Sequence, residues 1–412
     1  MNIVFFGIYS NEKFINQVVN KTKSPFSIAQ YKMEKALING FIENGLSISK
    51  AYCMPSLPYS KITKKLYTKS FDVSSDSINV STLPILNIPV LGNIFLSLNL
   101  FIRLLFTNKK KMGSNPVFFI TLNYLPVAIP LIIISKIKRI KTIIMLTDCA
   151  RNTFELRSSI EAKKFKKIIY SAKRIIAEYF ERRYYAYIFL TNHMNDIINV
   201  KNRPFTIIEG IYESSYKGSH VEKIIETERI SEEKNIILYS GSLFKIYGID
   251  KIIDVMKYVD DDIEVHIYGD GEYKENVLQA QENDSRIKYC GFVDQETLKS
   301  KMRNAKLLIN LRNPSLEFTK LSFPSKIFDY MVSGSPVLTT KLQGIPEEYY
   351  LYMYYTSSYD SQEIGKKINE ICKFNKYERN ILASNARDFI LNDKNEIIQT
   401  KKIISFLEGI GT

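Results

Sequence analysis

Short apolar runs alternate with helical patterns along most of the chain. The run 3–7 predicts a first buried strand, and the segment 27–44 predicts a helix with one apolar face. Strands that alternate with helices form parallel sheets, whose ligands bind at the carboxyl ends of the strands. Four residues follow the first strand or begin the helix, and they either border this crevice or act only as loop and cap residues: Tyr9, Ser10, Ser27 and Gln30.

A polar stretch divides the chain into two such halves. Residues 212–234 are charged and lack a hydrophobic period, so they predict an interdomain linker. The run 236–241 then opens a second alternating series. With 412 residues, the chain is too long for one ordinary core. The sequence predicts an α/β protein with domains at 1–214 and 215–392, followed by a last helix in 393–412.

The most apolar segment is 85–106, in which Arg103 is the only charged residue. A membrane-spanning helix needs about 20 such residues, but Pro89, Gly92 and three asparagines argue against a span. Two interpretations remain. The first and commoner one is a core helix. The second is a helix in the membrane interface, with the lysines 109–111 on lipid headgroups.

The net charge of +14 and the pI near 9.2 call for an anionic partner, which is nucleic acid, an acidic membrane or a phosphorylated substrate. The helical pattern 161–183 is especially basic. Such a run most often faces solvent, and the alternative is a first domain that faces a membrane. No base-reading or base-stacking motif is present, so no nucleic-acid partner is predicted.

Cysteine and histidine usage bears on compartment and metal binding. Four separated cysteines and three scattered histidines predict neither a disulfide framework nor a metal site. The first residues predict a buried strand rather than a signal peptide. We therefore expect a cytoplasmic protein, with peripheral contact at the inner face of the plasma membrane as the alternative that the basic clusters suggest.

The stretch 312–348 holds the main candidate binding residues. Ser322 and Ser325 mark a helix start, with Ser322 as the predicted cap. Lys326 in the first turn opposes the helix dipole unless an anion lies close, and Asp329 follows on the same face. Bare amide groups at a helix start beside a cation form an anion site.

A second candidate loop begins at Gly241, at the end of the run 236–241. Gly241 permits close approach of the backbone, and Lys245 can face an anion. Alone this signal is weak.

Four motifs in the stretch 312–348 resemble the donor-site segment of retaining GT-B glycosyltransferases of family four, in the branch that builds bacterial surface polysaccharides and glycoconjugates. They are Phe323-Pro324-Ser325-Lys326, Asp329-Tyr330-Met331, Gly334-Ser335-Pro336-Val337 and Gly344-Ile345-Pro346-Glu347. The resemblance implies a GT-B fold, in which two Rossmann-like domains face a central cleft and the last helix crosses back to the first domain.

The same resemblance implies a reaction. A hexosyl residue passes from a nucleotide diphosphate sugar, with UDP-sugar as the expected donor, to a hydroxyl of a glycan or lipid-linked acceptor, with retention of configuration. The donor is a substrate, and neither a cofactor nor a metal is expected.

The resemblance also assigns roles to residues. Asp329 would hold the ribose, and Phe292 and Val293 would line the base pocket unless they are core residues. In the resembled family, an Arg and a Lys of this loop bind the donor phosphates. Ser242 and Tyr247 occupy those two positions in this chain. Lys245, Arg312 and Lys326 are therefore the proposed diphosphate ligands.

Sugar recognition and the acceptor are less defined. Leu321 stands where the family has a sugar-binding glutamate, so Glu317 or Glu347 would have to replace it. Asp148 follows a strand of the first half and either orients the acceptor or caps a local turn. Ser242, Tyr247 and Leu321 differ from the residues of the family at these positions. The alternative to an enzyme is therefore a catalytically weak partner subunit that stabilises an active glycosyltransferase.

Overall fold

The computed structural model describes residues 1–10, 28–53, 66–75, 78–88, 90–151, 164–214 and 235–411. Two compact units are present. Unit 1 comprises Met1–Glu213 and Glu396–Thr412, and unit 2 comprises Ser214–Asn395. Most of the predicted linker, and Ser27, lie outside the described residues.

Unit 1 is an α/β unit built on a mainly parallel sheet. Its strands are β1 (Asn2–Gly7), β2 (Ser47–Cys53), β3 (Tyr67–Thr68), β4 (Asp72–Ser75), β5 (Ile78–Thr82), β6 (Ile85–Leu86), β7 (Pro116–Ile120), β8 (Lys141–Leu146), β9 (Ala186–Phe189) and β10 (Phe205–Ile207). Its first five described helices are α1 (Ile28–Glu43), α2 (Leu91–Phe106), α3 (Leu125–Lys138), α4 (Lys164–Glu181) and α5 (Asn192–Ile198).

Within the described part of unit 1, eight strands pair in the order β10-β9-β8-β7-β1-β2-β5-β4. All pairs are parallel except β4 with β5, and β3 pairs separately with β6. Aromatic side chains fill the centre, where Phe119 packs against both Phe5 and Phe41. Buried strands that are apolar on both faces are typical of parallel sheets covered by helices.

Unit 2 is a second α/β unit. Its strands are β11 (Ile236–Ser240), β12 (Glu264–Tyr268), β13 (Ile287–Gly291), β14 (Leu307–Asn310), β15 (Val337–Thr340) and β16 (Tyr354–Thr356). Its helices are α6 (Ile249–Val255), α7 (Lys274–Asn283), α8 (Gln295–Arg303), α9 (Glu317–Lys320), α10 (Lys326–Val332), α11 (Ser361–Lys373) and α12 (Lys376–Asp393). Over the described residues, the strands form one parallel sheet in the order β13-β12-β11-β14-β15-β16.

The last helix, α13 (Glu396–Gly409), belongs to unit 1 although it follows unit 2 in sequence. It packs closely on α1 at Gly40, where an added Cβ would lie 2.3 Å from the carbonyl oxygen of Glu396. Asn44 of the α1 end donates to the Thr400 hydroxyl (2.9 Å), and Gln399 donates to the carbonyl of Gly210 (3.2 Å). These contacts make the end of the chain a structural part of unit 1.

Helix α2 corrects the expectation of a core helix. Its inner face buries Leu100 and Leu104, but five large apolar side chains on the other face are between 51% and 81% exposed: Leu91, Ile94, Leu98, Ile102 and Phe106. They recur every three or four residues, so they form one stripe. In the described ranges, no helix is long and apolar enough to cross a membrane.

Candidate functional site

The order in which the strands of the unit 2 sheet are added reverses between β11 and β14. The chain adds β12 and β13 on one side of β11, and then β14, β15 and β16 on the other. In open parallel sheets, ligands bind outside the carboxyl ends of the two strands at such a switch point. The loops after β11 and β14 are the two candidate loops, so the topology brings them together.

A glycine allows these two loops to touch. Gly248 has φ = +83°, and an added Cβ would lie 1.7 Å from the carbonyl oxygen of Leu311. No other residue fits a left-handed position this close to a neighbouring backbone. The turn Lys245–Tyr247 is therefore held directly beside Arg312.

Arg312 is the central cation of this crevice. Its guanidinium carbon lies 5.0 Å from the ring centre of Tyr247 and 5.6 Å from that of Phe318. Among the described residues, its buried Nε has no hydrogen-bond partner and its guanidinium has no carboxylate partner. Burial lowers the pKa of the guanidinium from its ordinary value. A half-buried cation that lies beside aromatic rings and that no acid of the described residues neutralises is suited to binding an anion.

Helix α10 supplies the second cation and the candidate ribose ligand. Lys326 is the first residue of α10, and its Nζ lies 4.0 Å from Oδ2 of Asp329. Both side chains are about one-third exposed and accessible to a ligand. The structure thus places Arg312, Lys326 and Asp329 in one strand–loop–helix unit.

Tyr330 fixes α10 to the end of β11. Its hydroxyl accepts from the Ser240 amide (2.8 Å) and donates to the Ser240 carbonyl (3.2 Å). Burial raises the pKa of Tyr330 to about 12, so the hydroxyl keeps its proton. The motif that contains Tyr330 did not predict this structural role, and the sequence did not predict that Tyr247 and Phe318 contact Arg312.

Two serines were expected at the helix start. The prediction that Ser322 caps the helix is wrong. A short helix, α9, precedes Ser322, and the Ser322 hydroxyl donates back to the Phe318 carbonyl (2.9 Å). Ser325 directly precedes α10, and its side chain makes no capping hydrogen bond. Both residues still lie in the segment that joins Arg312 to Lys326.

The loop after β11 contributes less than expected. The Gly241 amide donates to the Tyr268 carbonyl (3.0 Å), so this amide serves the sheet. Ser242 is exposed, and its carbonyl accepts from the Tyr239 hydroxyl. Lys245 is 71% exposed and lies 3.7 Å from Asp250. An exposed lysine that has an acidic neighbour is a weaker anion ligand than Arg312.

Phe292 and Val293 follow β13 at the edge of the sheet. Phe292 is 81% exposed, so the core interpretation is wrong for this residue, and Val293 is partly exposed. Exposure leaves both available for contacts with a ligand.

In unit 1, Asp148 follows β8 and is exposed. A fully buried acid there is Glu34, which the sequence did not predict as a site residue. Its Oε2 accepts from the amides of Ile8 (2.7 Å) and Tyr9 (2.8 Å). Its Oε1 accepts from the Thr121 hydroxyl (2.7 Å) and the Gln30 amide group (3.1 Å).

Burial raises the pKa of Glu34 to about 7, although these hydrogen bonds oppose the shift. The sequence carried a signal for it, since Glu34 lies three and seven residues before Leu37 and Phe41, on the apolar face of α1. An acid on a core-facing stripe is either satisfied by hydrogen bonds or functional.

Residues 220–389 match the family model of glycosyl transferases group 1. The matched segment covers the crevice built by Arg312, Lys326 and Asp329. No curated protein matches the chain in sequence.

Solved structures are similar over nearly the full length. Anabaena HepE with UDP and glucose has a TM-score of 0.63 and 14% identity, over 99% of this chain and 100% of that chain. The lipopolysaccharide outer core galactosyltransferase WaaB has a TM-score of 0.62 and 11% identity, over 100% of both chains. A variant of S. aureus TarM, with Fondaparinux, alpha-GlcNAc-glycerol and UDP, has a TM-score of 0.57 and 10% identity, over 98% of this chain and 99% of that chain.

At these identities the likeness establishes the fold. The chain has the GT-B fold, with two Rossmann-like domains. The family match and this GT-B fold together support a glycosyltransferase.

Proposed function

We propose that this GT-B protein transfers a hexosyl residue from a UDP-sugar to a hydroxyl of a glycan or lipid-linked acceptor, with retention of configuration. The observation that carries the proposal is Arg312, a half-buried cation with no carboxylate partner among the described residues, at the switch point of a segment that matches glycosyl transferases group 1. The UDP in the HepE and TarM structures supports the choice of nucleotide.

The reaction requires charge stabilisation more than a strong base. The bond from the sugar C1 to the β-phosphate oxygen breaks, a bond from C1 to the acceptor oxygen forms, and the acceptor proton passes to the departing phosphate. Arg312 and Lys326 neutralise the negative charge that develops on that phosphate, and fixed cations contribute most when water is excluded. Asp329 accepts hydrogen bonds from the ribose. The nucleotide sugar is the substrate, and the proposed reaction uses neither a resident cofactor nor a metal.

Calorimetric titration with UDP tests the donor site. We expect binding by the unchanged protein and a loss of roughly tenfold or more in affinity for Lys326→Ala, since charge-assisted hydrogen bonds contribute about 1.5–3 kcal/mol. Lys301→Ala, on the exposed side of α8, is the control and should bind UDP normally. Equal affinity for all three proteins would remove Lys326 from the site.

Turnover separates the enzyme from a partner subunit. Hydrolysis or transfer of a UDP-sugar, at a rate that EDTA leaves unchanged, supports the enzyme proposed here. Tight UDP binding without turnover of any UDP-sugar supports a subunit that stabilises an active glycosyltransferase.

We propose a cell-surface glycan of bacteria as the setting of the reaction. The names of two GT-B neighbours support this choice, since WaaB is described as a lipopolysaccharide outer core enzyme and the TarM structure contains alpha-GlcNAc-glycerol. Profiling glycans from cells that lack the protein tests it, and an unchanged glycan profile would contradict it.

Peripheral binding to an anionic membrane is part of this proposal. The exposed stripe of α2 is followed by Lys109, Lys110 and Lys111, all exposed. The ends of α2 and α3 are joined where Lys138 donates to the Thr107 carbonyl (2.6 Å), and Lys136 and Ile137 at the end of α3 are exposed. Apolar side chains that enter the lipid boundary, flanked by lysines on headgroups, are typical of interfacial helices.

Sedimentation with vesicles tests the membrane contact. We expect binding to vesicles that contain phosphatidylglycerol, weaker binding to phosphatidylcholine alone, and a loss of roughly tenfold for the double variant Ile102→Ser/Phe106→Ser. Leu351→Ser, an equally exposed apolar residue in unit 2, is the control. Equal binding by the double variant and the control would contradict a role for α2.

A further inference from the structure

Three neighbouring helices cover one face of the unit 1 sheet. The chain crosses the sheet in one direction from β1 to β2, and in the other direction from β7 through β8 to β9. Because parallel crossovers are right-handed, α1 covers one face, and α3 and α4 cover the opposite face. Helix α3 packs against both α2 and α4, so these three helices lie side by side. Helix α13 packs on α1 and therefore lies on the other face.

The outward side of this helical layer is apolar on all three helices. Besides the stripe of α2, Ile133 and Ile137 of α3 are exposed. Among the described side chains of α4, five large apolar ones are between 38% and 68% exposed: Ile168, Ile169, Ile175, Ile176 and Tyr179. Ile168, Ile175 and Tyr179 recur at helical spacing, so they form a stripe along α4. A soluble monomer rarely exposes so extended an apolar surface unless the surface binds something.

Acidic residues are few on this layer. Neither α2 nor α3 contains one. Helix α4 contains two. The Glu178 carboxylate lies 3.6 Å from Nε of Arg174 and 3.8 Å from a terminal nitrogen of Arg182. Glu181 is buried, and burial together with the charges of Glu178 and Asp148 raises the pKa of Glu181 to about 8. At pH 7, therefore, one acid of α4 is paired with arginines and the other is mostly uncharged.

Lysines flank the apolar side chains. Over the described side chains of these three helices and of the turn after α2, five lysines are exposed and no acid is: Lys109, Lys110, Lys111, Lys136 and Lys173. Exposed acids do occur on adjoining segments, at Asp148 after β8 and at Asp196 of α5. The positive excess thus belongs to the same surface as the apolar stripes.

Apolar and basic groups meet at the end of α4. The Arg183 guanidinium lies 3.4 Å from the centre of the exposed Tyr179 ring. Arg183 lowers the pKa of the Tyr179 hydroxyl, and the charges of Lys136 on α3 and of Lys201 act in the same direction. Cations from three segments thus surround one exposed tyrosine. Tyrosine rings are enriched at the boundary between lipid chains and headgroups, where basic side chains also extend towards water.

We propose that α4 is a second membrane-binding helix, and that α2, α3 and α4 lie together against an anionic bilayer. The inference rests on the membrane contact proposed for α2 and extends it from one helix to a whole face of unit 1. The isoleucines enter the lipid boundary while the lysines and Arg183 meet the headgroups. The unit 1 sheet then lies parallel to the bilayer. Its carboxyl edge faces along the membrane plane, in which a lipid-linked acceptor diffuses.

Vesicle sedimentation of the full-length protein tests the contribution of α4. We expect Ile168→Ser/Ile175→Ser to bind vesicles that contain phosphatidylglycerol roughly tenfold more weakly than the unchanged protein does. Tyr377→Ser/Ile381→Ser, an exposed apolar pair on α12 of unit 2, is the matched control and should bind normally. Normal binding by the α4 variant together with weaker binding by the α2 double variant would overturn the inference and leave the α2 contact standing. Normal binding by both would overturn the proposed membrane contact itself.

Fluorescent probes test whether the three helices bind together. Leu98→Cys, Ile133→Cys and Ile175→Cys each take an environment-sensitive dye in a Cys290→Ser protein, because Cys290 is partly exposed and the other three native cysteines are buried. We expect the emission to shift to the blue at all three positions when phosphatidylglycerol vesicles are added. Ser405→Cys, exposed on α13 of the opposite face, should show no shift. A shift at Leu98→Cys alone would overturn the inference.

Sedimentation velocity without lipid tests a second copy of the chain as the other occupant of this face. We expect the unchanged protein and Ile168→Ser/Ile175→Ser to sediment alike. A dimer that this variant dissociates would assign α4 to a protein interface and overturn the membrane assignment. UDP affinity of the variant should equal that of the unchanged protein, so a failure of the donor site is read separately.

Discussion

Two ionisable side chains lie at the carboxyl edges of the two sheets, and their surroundings differ. Glu34 in unit 1 accepts four hydrogen bonds, from two amides, a hydroxyl and a side-chain amide. Arg312 in unit 2 has two aromatic rings beside it, and its buried Nε lacks a hydrogen-bond partner among the described residues. A buried carboxyl group that the protein satisfies with hydrogen bonds is part of the architecture, whereas a half-buried cation that the described residues leave without an acidic partner is suited to a ligand.

Removal of Glu34 should have the largest effect, and it should act on stability alone. Glu34→Ala leaves the Ile8 and Tyr9 amides and the Thr121 hydroxyl without their acceptor. We expect the free energy of unfolding to fall by about 3–5 kcal/mol, measured by urea denaturation. Glu43→Ala, at the exposed end of α1, should change it by less than about 0.5 kcal/mol. Weakened UDP binding in a folded Glu34→Ala protein would contradict the comparison.

The pH dependence of the free energy of unfolding should also show the contribution of Glu34. Because the pKa of Glu34 rises from 4.5 to about 7 on folding, the folded protein holds more protons than the unfolded chain between these values. Its contribution is therefore fully present below pH 4.5 and is lost as the pH rises to 7, by about 3 kcal/mol. Subtracting the curve of Glu34→Gln isolates this contribution from that of Glu181. If the free energy of unfolding of the unchanged protein rose with pH relative to that of Glu34→Gln, the prediction would be contradicted.

Replacement of Arg312 should lower ligand affinity rather than stability. Arg312→Met removes a desolvated charge that has no acidic partner, so we expect the stability of the ligand-free protein to stay the same or rise. UDP affinity should fall by about 2 kcal/mol, roughly thirtyfold, in calorimetric titration. UDP should also raise the melting temperature of the unchanged protein more than that of the variant. A destabilised variant with normal UDP affinity would make Arg312 architectural, like Glu34.

Tyr247 should have the smallest effect. Tyr247→Leu removes the ring that lies 5.0 Å from the Arg312 guanidinium, so we expect UDP affinity to fall by about 0.5–1 kcal/mol. Lys245→Ala is the neighbouring control, and its exposed pair with Asp250 predicts a change below about 0.5 kcal/mol. If Lys245→Ala lowers UDP affinity more than Tyr247→Leu does, the loop after β11 binds the diphosphate through its lysine.

Most of the fold could be predicted because its strands are short, apolar and bounded by turn residues. β1 begins one residue before the predicted run 3–7, and β11 ends one residue before the end of the predicted run 236–241. The candidate site could be predicted only where its residues are close in sequence, as are Lys326 and Asp329. The approach of Tyr247 to Arg312 depends on Gly248 packing against Leu311, more than 60 residues away in sequence, and no local pattern contains it.

The two faces of α2 show a different limit. Apolar residues surround most of this helix, so periodicity cannot distinguish the buried side of Leu100 and Leu104 from the exposed side of Leu98 and Ile102. The structure decides which face is covered. Ser322 shows a third limit, since its capping role fails because the chain forms α9 just before it.

The double hydrogen bond of Tyr330 to Ser240 has a kinetic consequence. It couples the helix that carries Lys326 and Asp329 to the last residue of a central strand, so the nucleotide meets a backbone that is already ordered. Encounter, rather than loop ordering, should then limit association. In stopped-flow mixing, the observed rate should rise linearly with UDP concentration without reaching a plateau.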